Sequence, residues 1–287
     1  MIRLIEPQGY CMGVKRAIKI LDEVLEGNYP RPIYLVGKLI HNDIVINKYI
    51  KQGVIILDEH EKEKAIAGIR EGTLVFQAHG TGKDVFRLAK SRGFTIVDAT
   101  CKVVKLIHEK ITNYLNEGYS IIYIGKNRHS ESEAVLTISK DINFVTSLAD
   151  IKNLNINNDK IYVTNQTTLS LIDLADIFNA IKDKFPKAII DNKLCLATTK
   201  RQNAILEAED DLIIVVGDKN SSNTMRLYEL AKRKTCALMV SNLEELLSYN
   251  IDKTKNIGIT SGASTPKELV LEIYNYLIKQ SLITAII

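Results

Sequence analysis

The chain has 287 residues, 46% of them hydrophobic and 25% charged, a globular balance long enough for more than one packed unit. Its formal net charge of +4 is made of interspersed signs, which sets it apart from nucleic-acid proteins. The opening Met1-Ile2-Arg3-Leu4-Ile5-Glu6 lacks the apolar core of a signal peptide, and the apolar end from Leu282 to Ile287 is too short to span a bilayer, so a cytoplasmic protein with no membrane partner is expected.

Taken in chain order, one pattern recurs three times. Arg3-Leu4-Ile5-Glu6 reads as a strand, Cys11 follows, and Val14, Ile18, Leu21 and Leu25 then mark one face of a helix. The apolar strand Ile33-Tyr34-Leu35-Val36-Gly37 comes next and leads to His41-Asn42. A short strand from Val54 to Leu57 precedes Leu74-Val75-Phe76-Gln77, which leads to His79-Gly80. The second round starts with Thr95-Ile96-Val97-Asp98 and Cys101, then a helix on Val104, Ile107, Ile111 and Tyr114. Ile121 to Gly125 leads to His129-Ser130-Glu131, and Ile161 to Thr164 leads to Gln166-Thr167-Thr168, with Asn143 to Thr146 between them. The third round runs from Ala188-Ile189-Ile190-Asp191 through Cys195 and a helix reaching Ile205. Leu212 to Gly217 then leads to Ser221-Ser222-Asn223, and Ile257 to Thr260 leads to Ser264, with Ala237 to Val240 between them. The cysteines are 90 and 94 residues apart and the strand-ending glycines 88 and 92. Strands alternating with helices imply an α/β fold of mainly parallel four-stranded sheets, in three pseudo-symmetric units spanning 1–98, 99–191 and 192–287. Ligands of such sheets bind at the carboxyl ends of the strands, where every polar landmark above falls.

The three periodic cysteines each sit at a helix start, where free N–H groups and the helix dipole favour thiolate. Disulfides are disfavoured in a reducing compartment, and zinc usually takes closely spaced cysteine pairs that this chain lacks. An iron–sulfur cluster remains, and three cysteines on a 4Fe–4S cluster would leave one iron open to substrate. Cys236 breaks the period and reads as a buried structural thiol. His41, His79 and His129, with Ser221, Ser222, Asn223 and Ser264, are suited to an anion such as a phosphate. His60, in an acidic stretch, and His108, on a helix, read as solvent-facing or structural. Glu131 lies beside His129 and could exchange a proton through Thr167, or could simply favour a helix start. No glycine-rich nucleotide fingerprint is present.

These stretches, together with Gly9-Tyr10-Cys11-Met12-Gly13-Val14-Lys15-Arg16-Ala17, Asp98-Ala99-Thr100-Cys101, Cys195-Leu196-Ala197-Thr198 and Arg201-Gln202, resemble the 4-hydroxy-3-methylbut-2-enyl diphosphate reductase family from residue 9 to residue 264. The resemblance implies a cloverleaf around a 4Fe–4S cluster held by Cys11, Cys101 and Cys195. It further implies diphosphate binding by His41, His79, His129, Ser221, Ser222, Asn223 and Ser264, and places Glu131 and Thr167 at the substrate hydroxyl with Thr168 nearby. The implied reaction is reductive loss of that hydroxyl, giving isopentenyl and dimethylallyl diphosphates. Lys126, Ser130 and Ala134 stand where the family pattern often has histidine, proline and glycine. Electrons would come from a ferredoxin or flavodoxin, since no flavin or nicotinamide motif is present. Two other readings are a non-redox hydro-lyase, separated by its indifference to reductant, and an iron–sulfur sensor, which would not need a diphosphate cradle.

Overall fold

The computed structural model describes residues 1–59, 61–252 and 254–284. His60 and the end of the apolar tail, 285–287, lie outside the described residues. Helices and strands alternate throughout. The strands are β1 (Ile2–Leu4), β2 (Ile33–Val36), β3 (Ile55–Leu57), β4 (Thr73–Phe76), β5 (Thr95–Asp98), β6 (Ser120–Ile124), β7 (Asn143–Val145), β8 (Ile161–Asn165), β9 (Ile189–Ile190), β10 (Leu212–Val216), β11 (Cys236–Val240) and β12 (Ile257–Ser261). The helices are α1 (Met12–Glu26), α2 (Asp43–Lys51), α3 (Lys62–Ala67), α4 (Lys83–Ser91), α5 (Lys102–Asn116), α6 (Ser130–Leu136), α7 (Leu148–Asn153), α8 (Leu171–Lys184), α9 (Leu196–Glu207), α10 (Ser222–Lys234), α11 (Leu243–Leu247) and α12 (Lys267–Thr284). Among the described residues, no helix is long and apolar enough to cross a membrane.

The chain divides into two compact units. The first comprises residues 1–12, 41–43 and 195–287 and holds one sheet, ordered β1-β12-β10-β11. The second comprises residues 13–40 and 44–194 and holds two sheets, β3-β2-β4-β5 and β7-β6-β8-β9. All nine strand pairings are parallel, as the sequence pattern requires. The three orders are the same order. Each has two central strands, an outer strand inserted between them in sequence, and a last strand after which a periodic cysteine follows. In the first unit that last position is taken by β1, which pairs with β12 through Ile2, Arg3 and Leu4.

Burial on both faces explains the continuous apolar strands. In β10, Ile214 and Val216 face a core with Ile257, Ile259, Val270 and Ile273, while Ile213 and Val215 face Ile205, Leu227 and Ala231. In the second unit, Ile122, Ile124 and Val163 pack on Leu174, Ile177 and Ile181 of α8, and Ile121 and Tyr162 pack on Ile107 and Ile111 of α5. β2 and β4 pack on Ile66, Val85 and Ala89 of α3 and α4. Cys236 corrects the sequence reading: it is exposed, because it opens the edge strand β11 rather than entering a core. His108 is half-buried, with burial and Lys83 holding its imidazole down at about 4 against the opposing pull of Asp98, which fits a structural place.

Ile214 is completely buried between Leu238 and Ile259 in the central strand β10. Its replacement by alanine should cost about 2–5 kcal/mol of stability, read as a lower urea midpoint with an unchanged slope.

Candidate functional site

The polar clusters occupy the carboxyl ends of the two central strands in every sheet, after β2 and β4, β6 and β8, β10 and β12. A parallel sheet sends all such ends one way, so loops distant in sequence become neighbours.

In the first unit, the structure brings His41, Ser221, Asn223 and Ser264 together. Ser264 Oγ donates to His41 O at 3.0 Å and lies 3.4 Å from Ser221 Oγ. Ser221 caps α10, its Oγ accepting from Thr224 N, so Ser222 and Asn223 form the first turn of that helix. Asn223 Oδ1 accepts from Ala263 N at 2.9 Å, while its buried Nδ2 has no hydrogen-bond partner. A buried amide donor beside hydroxyls and a helix N-terminus is a cradle for an anion. Asp218 fixes the adjoining chain by accepting from Asp43 N at 3.0 Å and Asn220 N at 2.8 Å.

The same unit holds Cys11 and Cys195. Both are half-buried thiols, and Cys195 occupies the N-cap of α9. Cys11 N donates to Ala263 O at 3.0 Å. Sequence reasoning quoted Arg201 but gave it no role. Its buried guanidinium donates to Gly9 O at 2.6 Å, Ser261 O at 3.2 Å and Ala197 O at 3.1 Å. Burial lowers the Arg201 pKa, opposed by its electrostatic attraction to Cys11, Cys195 and Glu6. A fixed cation favours the thiolate form that a metal centre requires. The signal for Arg201 was an arginine on the inner face of a helix of otherwise weak apolar pattern.

In the second unit, Cys101 is the N-cap of α5 and a half-buried thiol. Its N–H donates to Ala78 O at 2.9 Å, and Arg16 donates to Thr100 O at 3.1 Å. Asp98 anchors the turn by accepting from Thr100 N at 2.9 Å and pairing with Lys105. Burial pushes the Asp98 carboxyl up, but those bonds more than offset it and hold it below the usual range. Three half-buried thiols at helix starts suit an iron–sulfur centre in donor chemistry. Among the described residues no three His, Cys, Asp or Glu side chains are grouped to hold one metal ion; a cluster instead asks one cysteine of each iron.

His79 and His129 stand together in this unit, with ring centroids 5.9 Å apart and planes nearly perpendicular. Gly80 has φ +95°, and a Cβ there would come 3.2 Å from Val104 Cγ1 and 3.3 Å from His108 Cε1, so the turn after His79 needs glycine. His129 caps α6, its Nδ1 accepting from Glu131 N at 3.2 Å. An accepting Nδ1 leaves the proton of the neutral ring on Nε2.

Glu131 is fully enclosed. Thr167 N donates to Oε1 and Thr167 Oγ1 lies against Oε2, both at 2.9 Å. Burial pushes the carboxyl up to about 7, with the two Thr167 bonds opposing. An N–H can only donate, so Oε1 accepts in either protonation state. The Thr167 hydroxyl donates to Oε2 and, as a hydroxyl, can also accept a proton from it. Gln166, also without an assigned role in the sequence, locks this loop. Its Oε1 accepts from Lys126 N at 3.0 Å and Ser132 Oγ at 3.3 Å, and its Nε2 donates to Thr168 Oγ1 at 2.8 Å. Lys126 enters through its backbone, so its departure from the family pattern leaves this bond intact.

Because the folded carboxyl titrates above its usual value of 4.5, folding takes up a proton between about 4.5 and 7. The stability it confers is full below that window and lost as pH rises through 7. Glu131→Gln should therefore stabilise the fold at pH 8 by an amount on the order of a few kcal/mol and give no gain at pH 4. Urea denaturation at the two pH values measures this, and difference infrared spectra should show a carboxylic C=O band that vanishes near pH 7 and is absent from the variant.

Known proteins resemble the chain along nearly its whole length. The family model described as LytB protein matches residues 2–278. The 4-hydroxy-3-methylbut-2-enyl diphosphate reductase of Listeria monocytogenes is 41% identical over 279 residues, covering 95% of this chain and 84% of the relative. The enzyme of the same name from Shouchella clausii is 38% identical over 282 residues, covering 95% and 90%. Among solved structures, the E-1-hydroxy-2-methyl-but-2-enyl-4-diphosphate reductase of Plasmodium falciparum aligns with a TM-score of 0.86 at 32% identity, over 96% of this chain and 87% of that one. With nearly its whole length matched in sequence and in fold, the chain belongs to the LytB protein family.

Proposed function

We propose that the chain reduces 4-hydroxy-3-methylbut-2-enyl diphosphate to isopentenyl and dimethylallyl diphosphates. The overall change takes two electrons and two protons: the allylic C–O bond breaks, oxygen leaves as water, and the allyl carbon skeleton gains one hydrogen. The family is one of iron–sulfur enzymes. A 4Fe–4S cluster, when bound by Cys11, Cys101 and Cys195, would supply electrons and a Lewis acid toward the hydroxyl oxygen. An external one-electron protein, a ferredoxin or flavodoxin, would feed it, and the positive net charge suits an acidic donor. A reducing compartment such as the cytoplasm would keep these cysteines available as ligands.

The observation that carries the proposal is the enclosed Glu131–Thr167 pair beside two imidazoles in one unit. Hydroxide is a poor leaving group, so a proton must reach the oxygen as the bond breaks. Glu131 Oε2 holds one at neutral pH, and the Thr167 hydroxyl both accepts it and hands on its own. His79 and His129 Nε2–H, His41, and the Ser221, Ser222, Asn223 and Ser264 donors are assigned to the diphosphate, with Thr168 beside the hydroxyl relay. A sensor would have no use for a proton donor tuned to about 7.

Anaerobic turnover with a chemical reductant tests the reading. The parent protein should form both diphosphate products only when reductant is present; turnover without it would favour a hydro-lyase. Glu131→Gln should keep its iron and its diphosphate affinity but lose about 10²–10⁴ in kcat. A variant within a few-fold of the parent would remove Glu131 as proton donor.

The cysteine assignment has its own check in iron and sulfide analysis. Cys101→Ser should lose most of its cluster absorbance, whereas Cys236→Ser, on an exposed edge, should keep all of it.

A further inference from the structure

Lys62, at the start of α3, is only 7% exposed, a rare condition for lysine unless it is paired. Its surroundings are specific. In the amide orientation that satisfies its neighbours, Gln77 donates to Lys38 O at 3.0 Å and accepts from Lys62 Nζ at 3.1 Å. Gly37 makes room for this amide, since a Cβ there would come within 3.0 Å of its outer end. Ser130 Oγ donates to Glu59 and also lies 3.3 Å from the Gln77 amide. Burial lowers the Lys62 pKa, while the carboxylates of Glu59, Glu133 and Glu63 act to raise it. The cation is therefore held by acids from both the α3 and the α6 segments.

Two sequence offsets give this cluster its meaning. Gln77 directly follows β4, two residues before His79, and Ser130 directly follows His129. We propose that Lys62 is a positioning residue, fixing the His79 loop through Gln77 and the His129 loop through the contact of the same amide with Ser130, so that the two imidazoles present their donors to one anionic group. The inference rests on the reading of these histidines as diphosphate ligands. Glu131 has its own anchor in Thr167 and is expected to move little when Lys62 is lost. Small displacements of paired donors weaken binding strongly, because two directional bonds must be made at once.

The test uses the cluster-loaded protein, with inorganic diphosphate as calorimetric probe and anaerobic kinetics alongside. Lys62→Met should raise KM and the diphosphate Kd about tenfold, with kcat held within about threefold. Glu59→Gln and Ser130→Ala should each raise KM by about three- to tenfold, and the double variant should be no worse than the larger single effect, since both act on one linkage. His79→Ala and His129→Ala serve as controls for the underlying reading. If these controls leave diphosphate affinity unchanged, the diphosphate assignment fails. If they weaken it while Lys62→Met keeps KM within twofold, the positioning role is overturned. Lower thermal stability and kcat at unchanged KM would also overturn it, as the mark of a merely structural lysine. Should Lys62→Met not fold, the Glu59 and Ser130 pair decides: coupled KM increases support the linkage, and null or additive effects refute it.

Discussion

A carboxyl group cut off from water must find donors or keep its proton, and Glu131 does both. Two bonds from Thr167 favour its charged form, complete burial favours its neutral form, and the balance falls near neutrality. Much of the second unit is arranged to maintain that balance. β8 must end so that Thr167 turns both its N–H and its hydroxyl toward α6. α6 must start at Ser130, with His129 as its cap, so that Glu131 enters the first turn pointing inward. Gln166 ties the two ends together through Lys126 N, Ser132 and Thr168, and Asn165 accepts from Lys193 N on the far side. The acidity of one group thus depends on backbone geometry from two strands.

The recurrence of one strand order in three sheets gives the same ends different chemistry. In the first unit the donors are hydroxyls and an amide at the start of α10, groups that do not titrate near neutral pH. In the second unit they are imidazoles and a carboxyl, the carboxyl raised to about 7 by its burial. We propose that segments 1–98, 99–191 and 192–287 derive from one repeat, with β1 completing the last sheet.

Parallel order and the positions of the polar loops were legible because they follow from period and punctuation. Apolar runs of four or five residues, each ending before a polar cluster, admit few other folds. The pairing of β1 with β12 was not legible, since an edge strand's partner leaves no mark on its own residues. The acidity of Glu131 was legible only in direction. Its extent depends on burial set against the two bonds from Thr167, neither of which is local in sequence. Cys236 misled because Ala237, Leu238 and Met239 look like a core strand, and an edge strand keeps that pattern while exposing its first residue. Lys62 and Arg201 were invisible for a related reason: a buried cation reads as a solvated one until its partners are placed.

In the first unit, the cysteine loop and the anion cradle share one peptide. Ala263 N–H donates to Asn223 Oδ1, and Ala263 C=O accepts from Cys11 N. Arg201 holds the approach to this peptide from both sides, through Gly9 O and Ser261 O, while Gly9 N donates to Ser261 Oγ at 3.1 Å. A shift of the Cys11 loop therefore reaches Asn223 through a single residue, with no side-chain rearrangement between. Such a short connection transmits displacement because both bonds are directional and their common residue lies two residues beyond the packed strand β12. It also sets a limit on substitution. A larger side chain near Ala263 cannot be absorbed by one loop alone, since Ala263 N–H and Ser264 Oγ already have fixed partners. The part of the chain that carries a thiol and the part that carries an anion donor are thus constrained as one body.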